Sequence, residues 1–188
     1  MDFDVVPLTN ENFFESWDLS KGIVIMEGLA PTQGSIHTSH DLRVRLKENR
    51  TMPSIRSPSA KWWNLRMMCM ETGIPNDPCY VFNTGIVGAS KEHLEQLDYF
   101  GEFDKIIELM DELNLNADGM YPDFFNGMFG WDNETIWGYK TKLNEVPWQL
   151  IGEEWHHFMD KDNIIHDDSK FVHVINKNFD WVRAQKHQ

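Results

Sequence analysis

The stretch from Cys79 to Val87 constrains the fold of this chain more than any other segment. Most of its residues are apolar and β-branched or aromatic, the run is too short for a buried helix, and Pro78 and Gly88 flank it. These features predict a central buried strand. Gly85 interrupts the strand, and such a glycine marks either a β-bulge or a place where another group approaches the backbone closely. Both interpretations stay open from these residues alone.

Composition limits the class of protein. The chain has 188 residues, 13% of them aromatic, which is enough to build one hydrophobic core, so we predict a single domain over residues 1–188. The formal net charge of −13 argues against nucleic-acid or anionic-membrane partners, because phosphate binding needs a basic surface, and it suits cation binding. With two cysteines and no long apolar run, the sequence predicts reduced thiols, no transmembrane segment and a cytoplasmic location.

Strand-like and helix-like segments alternate along the chain, which predicts an α/β fold with a mixed sheet flanked by helices. Strands are predicted at residues 22–26, 79–87, 136–139 and 170–177. Apolar residues at spacings of three and four predict helices over residues 61–70 and 91–113, the second interrupted at Gly101. Two further segments are predicted to face the core, namely a short helix or turn with Phe13, Phe14 and Trp17, and the irregular stretch 146–150.

Two carboxylates lie at residues 2 and 4. If residues 2–6 are extended, Asp2 and Asp4 point to the same face, because side chains alternate along a strand. Carboxylates held close together repel each other unless a cation joins them, and oxygen ligands of this kind suit Mg²⁺ or Mn²⁺. An acidic terminus without a ligand is the alternative interpretation of this short pattern.

Other polar residues stand where they could serve a site. Lys61 and Arg66 are predicted to be exposed on one helix, where they could neutralise a diphosphate or act as ordinary surface charges. Asp123 and Asn126 lie three residues apart on another predicted helix and therefore share one face. His173 lies within an apolar strand, where a histidine is either a hydrogen-bonded core residue or a metal ligand.

Four of these motifs follow one another in an informative order. They are Asp-Phe-Asp at residues 2–4, Phe-Asn-Thr-Gly at 82–85, the helix with Asp123 and Asn126, and the late strand with His173. This order resembles that of the GT-A glycosyltransferases, the nucleotide-sugar-dependent family that includes glycogenin-like and capsular-sugar enzymes. The resemblance implies a partial GT-A-like sheet and transfer of a sugar from a nucleotide-diphosphate sugar to a carbohydrate or other hydroxyl acceptor.

The resemblance also implies roles for individual residues. The implied roles are Asp2, Asp4 and His173 as ligands of Mn²⁺ or Mg²⁺, Asp123 as the catalytic residue, Asn83, Thr84, Gly85 and Asn126 as sugar and acceptor contacts, and Lys177 as a phosphate contact. A divalent ion on the diphosphate would stabilise the charge that develops on the leaving oxygen. The glycine and the Lys-Pro-Trp sequence that commonly follow the family's late histidine are absent, which leaves the role of Lys177 with less support.

The start of the sequence departs from the family. There, a nucleotide-binding half of roughly a hundred residues precedes the Asp-x-Asp motif, whereas only Met1 precedes Asp2 here. We therefore expect this chain to correspond to the C-terminal part of such an enzyme, with weak or absent transferase activity by itself. Sheet edges and apolar surface left uncovered in such a part favour self-association into a homo-oligomer.

Two other classes of function remain as alternatives. One is a metal-dependent hydrolase built on the acidic and histidine-rich C-terminal region, which would need His156, His157 or His166 and could dispense with Asp2 and Asp4. The other is a non-catalytic interaction module that binds through exposed aromatic residues and shows no response to divalent metals.

Overall fold

The computed structural model describes residues 3–28, 58–76, 78–117, 133–159, 164–175 and 177–185. They form helices and two small sheets, which confirms the predicted α/β class. The chain divides into two compact units, the first with Met1–Met26, Asn83–His93 and Pro147–Gln188 and the second with Glu27–Phe82 and Leu94–Val146. Asp2, Asp123 and Asn126 lie outside the described residues.

The elements follow the predicted alternation in most places. In the described part of the chain the strands are β1 (Val5–Pro7), β2 (Ile23–Gly28), β3 (Val81–Gly88), β4 (Trp148–Leu150), β5 (His157–Phe158) and β6 (Phe171–His173). The helices there are α1 (Phe13–Ser16), α2 (Pro58–Thr72), α3 (Lys91–Leu97), α4 (Phe103–Ala117), α5 (Asn133–Leu143) and α6 (Phe179–Gln185), and a 3₁₀ turn spans Leu19–Lys21. None of these helices is long and apolar enough to cross a membrane.

Two three-stranded sheets organise the first unit. One has the strand order β1-β6-β5, in which β1 runs antiparallel to β6 with Val5 opposite His173. On its other side β6 pairs in parallel with β5, with Phe158 opposite His173. The second sheet has the order β3-β2-β4, and β2 is parallel to β4. His173 thus lies in a central strand, with neighbours on both sides.

An aromatic cluster fills the core of the first unit. The Trp155 ring meets the rings of Phe13 and Phe171 edge to face, each at 5.3 Å between centroids. Val24 and Ile86, from the other sheet, pack into the same cluster. Burial of these large side chains is the main force that stabilises this unit, because the hydrophobic effect scales with the apolar area removed from water.

Three helices form the core of the second unit. The buried faces of α2, α4 and α5 meet around Leu65, Met68, Met110, Ile136 and Tyr139. The two free cysteines, Cys69 and Cys79, are buried in the same core. A hydrogen bond to Cys79 and burial raise the pKa of the Cys69 thiol, so the pair acts as apolar filling rather than as reactive thiolates.

A buried lysine joins α5 to the turn between α3 and α4. Lys140 is 1% exposed, its ammonium group donates a hydrogen bond to the carbonyl of Gly101, and it lies 4.0 Å from a carboxylate oxygen of Asp98. The predicted interruption of the 91–113 helix at Gly101 is confirmed, since α3 ends at Leu97 and α4 begins at Phe103. The Lys140 ammonium group thus satisfies a backbone carbonyl at the break between the two helices.

The strand predicted at Ile136–Tyr139 is wrong, because these residues lie within helix α5. Glu134 stands in the first turn of that helix, and Lys140 and Lys142 stand in the last turn, an arrangement that complements the helix dipole. The buried residues Ile136 and Tyr139 are three apart and face the core together. Four residues are too few for aromatic content to distinguish a strand from one helical turn.

Two apolar side chains that were predicted to be buried are exposed. Phe14 is 62% exposed although it was expected to face the core, and Leu150 is 57% exposed at the end of β4 rather than buried in an irregular stretch.

Two basic side chains that were predicted to be exposed are at least partly buried. Arg66 is 4% exposed. Its guanidinium lies over the Trp62 ring at 4.9 Å and donates to Asn76 Oδ1 at 3.0 Å, contacts that compensate its burial. Lys61, also expected at the surface, is half-buried and pairs with the Glu134 carboxylate.

Candidate functional site

A carboxylate and two nitrogen groups meet beside β6 in the first unit. Oδ2 of Asp4 lies 3.3 Å from Nε2 of His173 and accepts a hydrogen bond from the ammonium group of Lys177. Asp4 lies in a turn just before β1, not in the strand itself, so the predicted alternation of residues 2–6 does not apply to it. The antiparallel register instead places it here, since the backbone N–H of Val174 donates to the Asp4 carbonyl at 2.8 Å.

His173 is held from its other side by a second histidine. Its Nδ1 lies 3.1 Å from Nε2 of His156, and both rings are buried. The Phe158 ring lies 4.8 Å from the His156 ring and 5.6 Å from the His173 ring, centroid to centroid, so it restricts both. The His173 imidazole therefore has one nitrogen on an imidazole and the other on a carboxylate.

The glycine of the predicted central strand lies against His173. A Cβ atom on Gly85 would lie 2.5 Å from Cε1 and 2.6 Å from Nδ1 of that imidazole, distances that no real side chain allows. Asn83 Oδ1 accepts a hydrogen bond from the Gly85 N–H at 3.0 Å. Of the two interpretations left open by the sequence, a close approach to the backbone is the one observed, and the approaching group is the chain's own histidine.

Five of the predicted site residues are therefore neighbours in space although they are far apart in the sequence. Asp4, Asn83, Gly85, His173 and Lys177 all belong to the first unit and are linked by the contacts above. Thr84 lies between Asn83 and Gly85 on β3, and its side chain points to the opposite face by strand alternation. The functional roles of all these residues stay predictions.

His156 is the contact that the sequence did not identify. Its place in the sequence suggested only a histidine-rich tail, shared with His157 and His166. In the structure His156 turns inward to His173, whereas Nε2 of His157 contacts the carbonyl of Ile164 at 2.7 Å and its ring lies 4.6 Å from that of His166. His156 lies in a bend just before β5 and His157 is the first residue of that strand, so no local pattern in the sequence separates the two.

The pKa values of Asp4 and His156 are both lowered from their usual values. Burial raises the pKa of Asp4, but the hydrogen bond from Lys177 and the charge of His173 outweigh it, so the pKa lies below the usual value. Burial, together with the charge of His173, lowers the pKa of His156 to about 3. Asp4 is thus an anion and His156 a neutral imidazole at physiological pH.

Asp4 and His173 carry two side-chain atoms that could serve as ligands of a divalent cation. Carboxylate oxygen and imidazole nitrogen are ligand types that Mn²⁺ accepts. Two ligands at right angles with bonds of roughly 2.1 Å stand about 3 Å apart, close to the 3.3 Å observed between Oδ2 and Nε2. Among the residues that the structure describes, no group of three or more His, Cys, Asp or Glu side chains is arranged to hold a metal ion.

Acid should destabilise this unit by a predictable amount. Unfolded His156 gains a proton near its usual pKa of 6.5 whereas the folded residue does so only at about 3, so the unfolded state binds more protons between those values. We expect the free energy of unfolding to fall by up to about 1.4 kcal/mol per pH unit over that range. The lowered pKa of Asp4 adds a further loss at the acid end of this window.

Urea denaturation at intervals between pH 7.5 and 4 measures this slope. The variant His156→Gln has no titrating group at this position and should show a shallower slope than the wild type. Equal slopes for the two proteins would contradict the assignment of a buried neutral imidazole to His156.

Comparison of the chain with protein-family models, with curated proteins and with solved structures gives no match. The candidate site is therefore characterised by its own contacts. Those contacts are a buried imidazole pair, a carboxylate with an ammonium partner, and a strand glycine without which the central imidazole would not fit.

Proposed function

We propose that this chain is the metal, sugar and acceptor part of a GT-A-like glycosyltransferase that transfers a sugar from a nucleotide-diphosphate sugar to a hydroxyl acceptor. The observation that supports it best is the meeting of Asp4, His173 and Lys177 around one carboxylate oxygen. The resemblance that proposed these residues rests on short motifs about 170 residues apart in the sequence. The pairing of β1 with β6 brings Asp4 beside His173 and Lys177.

In this proposal the side chains divide the work between cation and phosphate. Asp4 Oδ2 and His173 Nε2 hold Mn²⁺ or Mg²⁺, with Asp2 as the third predicted ligand. The bound ion would supply electrostatic stabilisation to the diphosphate as the bond from the sugar to its leaving oxygen breaks. Lys177, 62% exposed at its side chain, turns from Asp4 to a phosphate oxygen, and an ammonium group suits that contact.

The other predicted residues serve the sugar and the acceptor. Asn83 and Gly85 lie beside His173 and would line the sugar pocket close to the metal. Asp123 and Asn126 carry the acceptor side of the proposal, with Asp123 as the catalytic residue. The side chain of Thr84 points to the opposite face of β3, so Thr84 is not included among the sugar contacts of this proposal. Homo-oligomer formation and weak transferase activity of this chain by itself also belong to the proposal.

Thermal unfolding with Mn²⁺, alone and with a panel of nucleoside diphosphates, tests this function. A ligand that binds only the folded state stabilises it, by about 3 kcal/mol when present at a hundred times its dissociation constant. We expect a shift with Mn²⁺ that grows with one nucleoside diphosphate and disappears in Asp4→Asn and His173→Gln. The exposed carboxylate of Asp168 provides the control, because Asp168→Asn should respond as the wild type does.

No shift in the wild type with any of these ligands would refute the proposal and favour the interaction module. A metal shift that survives Asp4→Asn but is lost in His157→Gln or His166→Gln would favour the hydrolase instead.

Replacing Lys177 by methionine should separate metal binding from phosphate binding. Its ammonium group occupies the oxygen of Asp4 that the metal would use, so Lys177→Met should bind Mn²⁺ at least as tightly as the wild type. Binding of the nucleoside diphosphate should weaken by about tenfold, because the variant loses one charge-assisted hydrogen bond to phosphate at an exposed position. Calorimetric titration of each ligand measures both constants.

Lys170→Met is the matched control for this prediction. Lys170 pairs with Glu11 and lies over the Trp155 ring, away from Asp4, so its loss should leave both constants unchanged. An unchanged nucleotide affinity in Lys177→Met would remove Lys177 from the phosphate role.

A further inference from the structure

The turn between α3 and α4 presents a phenylalanine to solvent. Phe100 is 80% exposed, and its ring lies 5.0 Å from that of Tyr99 and 6.0 Å from that of Phe103, centroid to centroid. A single exposed apolar side chain is common on protein surfaces and has no meaning by itself. The turn that carries this ring, however, combines a strained backbone with buried contacts that hold it.

The backbone on both sides of Phe100 is in the left-handed region. Asp98 has a φ of 44° and Glu102 has a φ of 52°, values that favour glycine. Gly101 is a glycine for a steric reason, since a Cβ atom there would overlap the carboxylate of Asp98. Strain of this kind persists only where the surrounding structure imposes it, and strained residues cluster at functional sites.

Contacts from helix α5 hold the turn in this conformation. The buried ammonium group of Lys140 donates to the Gly101 carbonyl and lies 4.0 Å from Oδ2 of Asp98. Nδ2 of Asn144 donates to the carbonyl of Leu97, the last residue of α3, at 2.8 Å. The exposed ring is therefore presented by a fixed backbone, which lowers the entropy that a partner would have to overcome on binding it.

An apolar groove begins beside the same turn. Its volume is about 250 Å³, and its lining includes Ile106, Leu109 and Leu143 together with Glu102, two residues after Phe100. Leu143 is 39% exposed. A ring that projects next to a groove gives a partner one aromatic anchor to cover and one apolar recess to fill, as in helix-in-groove recognition.

The surface around the ring and the groove is strongly acidic. Residues 94–112 contain seven aspartates and glutamates, all of them exposed, and one lysine. Asp104, Glu108 and Asp111 recur at spacings of four and three and therefore share one face of α4. Such a surface attracts a cationic partner and repels an anionic one. A second copy of this chain, with a formal net charge of −13, would place carboxylates against carboxylates.

We propose that the Phe100 turn, residues 98–102, and the adjoining groove dock a basic amphipathic segment of a partner protein. One apolar side chain of the partner covers the Phe100 ring and another enters the groove. Lysine or arginine side chains of the partner face the carboxylates of α4, and an arginine can also stack on the exposed ring. The surface lies in the second unit, so this proposal does not depend on the metal site.

Selection from a phage-displayed library of random peptides, with the whole chain immobilised, tests this surface. We expect the selected peptides to carry a net positive charge and at least one large apolar residue. Their affinity should fall by about tenfold or more in Phe100→Ser, the effect expected when an aromatic hot spot is lost. It should also fall at high salt, because salt screens contacts between exposed charges.

A charge variant tests the acidic face separately. Replacing three carboxylates of α4 together, by Asp104→Asn, Glu108→Gln and Asp111→Asn, should weaken peptide binding several-fold and should remove most of its salt dependence. All three positions are exposed, so the fold should be unaffected. An unchanged affinity and salt dependence in this variant would overturn the charge complementarity on which the choice of partner rests.

Phe14→Ser is the matched control for Phe100→Ser. Phe14 is also exposed, at 62%, but it belongs to the first unit, so its replacement should leave the affinity for the peptides unchanged. Urea denaturation of Phe100→Ser should give nearly the wild-type stability, because most of the ring is already in water. Loss of docking is thereby separated from loss of folding.

Three results would overturn the docking proposal. The first is a selection that yields no peptides, or only acidic or uncharged ones. The second is a set of basic peptides that bind Phe100→Ser as tightly as the wild type. The third is a wild-type dimer in sedimentation that becomes a monomer in Phe100→Ser, which would assign this surface to a second copy of the chain.

Discussion

Gly85→Ala should destabilise the chain by roughly 1–3 kcal/mol, the usual cost of forcing an extra methyl group into a packed site, and should abolish the response to Mn²⁺ that we propose. The added Cβ would stand 2.5 Å from the His173 ring. A surface side chain could move away, but His173 is held between His156 and Asp4 and is 6% exposed. Relief of the clash must therefore break one of the contacts that orient the ring.

Urea denaturation measures the loss in stability, and thermal unfolding with and without Mn²⁺ measures whether the ion still stabilises the variant. Gly73→Ala is a matched control in the second unit, where a Cβ would meet nothing within 4 Å but the backbone φ of +72° is strained for alanine. That strain should cost about 1–2 kcal/mol, a comparable loss, with the Mn²⁺ response retained. A folded Gly85→Ala protein with full Mn²⁺ affinity would show that His173 needs no fixed position.

Local sequence patterns predicted the elements that are long or have clear boundaries. The apolar run predicted at 79–87 is strand β3, Val81–Gly88, and the 61–70 helix is found as α2, which ends at Thr72 beside Gly73. The break at Gly101 was also predicted, since amphipathic spacing is lost there. In each case several neighbouring residues support the same conclusion, so local preference and tertiary packing agree.

Short segments failed because their environment is set by distant residues. Ile136–Tyr139 is helical because it continues the turn that begins at Asn133 and packs on α2, which four residues cannot reveal. Asp4 reaches His173 from a turn, through the pairing of β1 with β6, and not through strand alternation. No spacing within the sequence encodes a pairing across that many residues.

The candidate site shows the same division. Most residues of the candidate site, at positions 4, 83–85, 173 and 177, were selected from the sequence by residue type, because a carboxylate, a strand glycine, an imidazole and an ammonium group each have distinct chemistry. The partner of His173 was not identified, since His156 lies in a bend just before β5 and turns inward, whereas His157 is the first residue of β5 and contacts the Ile164 carbonyl. The direction of a side chain in a bend depends on tertiary packing, which the structure supplies and the sequence does not.

Trp155→Ala should have the largest effect on stability, a loss of about 3–5 kcal/mol in the free energy of unfolding. The indole is 3% exposed and meets Phe13 and Phe171 edge to face, and the ammonium group of Lys170 lies 4.5 Å from the ring centroid. Removing the indole leaves a cavity between the rings of Phe13 and Phe171. Phe171 belongs to β6, so the cavity cannot close without moving the strand that carries His173.

Urea denaturation at neutral pH tests this prediction, with Phe14→Ala as the matched control. Phe14 belongs to the same group of rings, at 5.5 Å from Phe13, but is 62% exposed, so its truncation should cost less than about 1 kcal/mol. Trp155→Phe should fall between the two, because it keeps an aromatic ring in the cluster. Losses of equal size in Trp155→Ala and Phe14→Ala would mean that the aromatic cluster does not stabilise this unit, and His156, the next residue in the chain, would then need another source of rigidity.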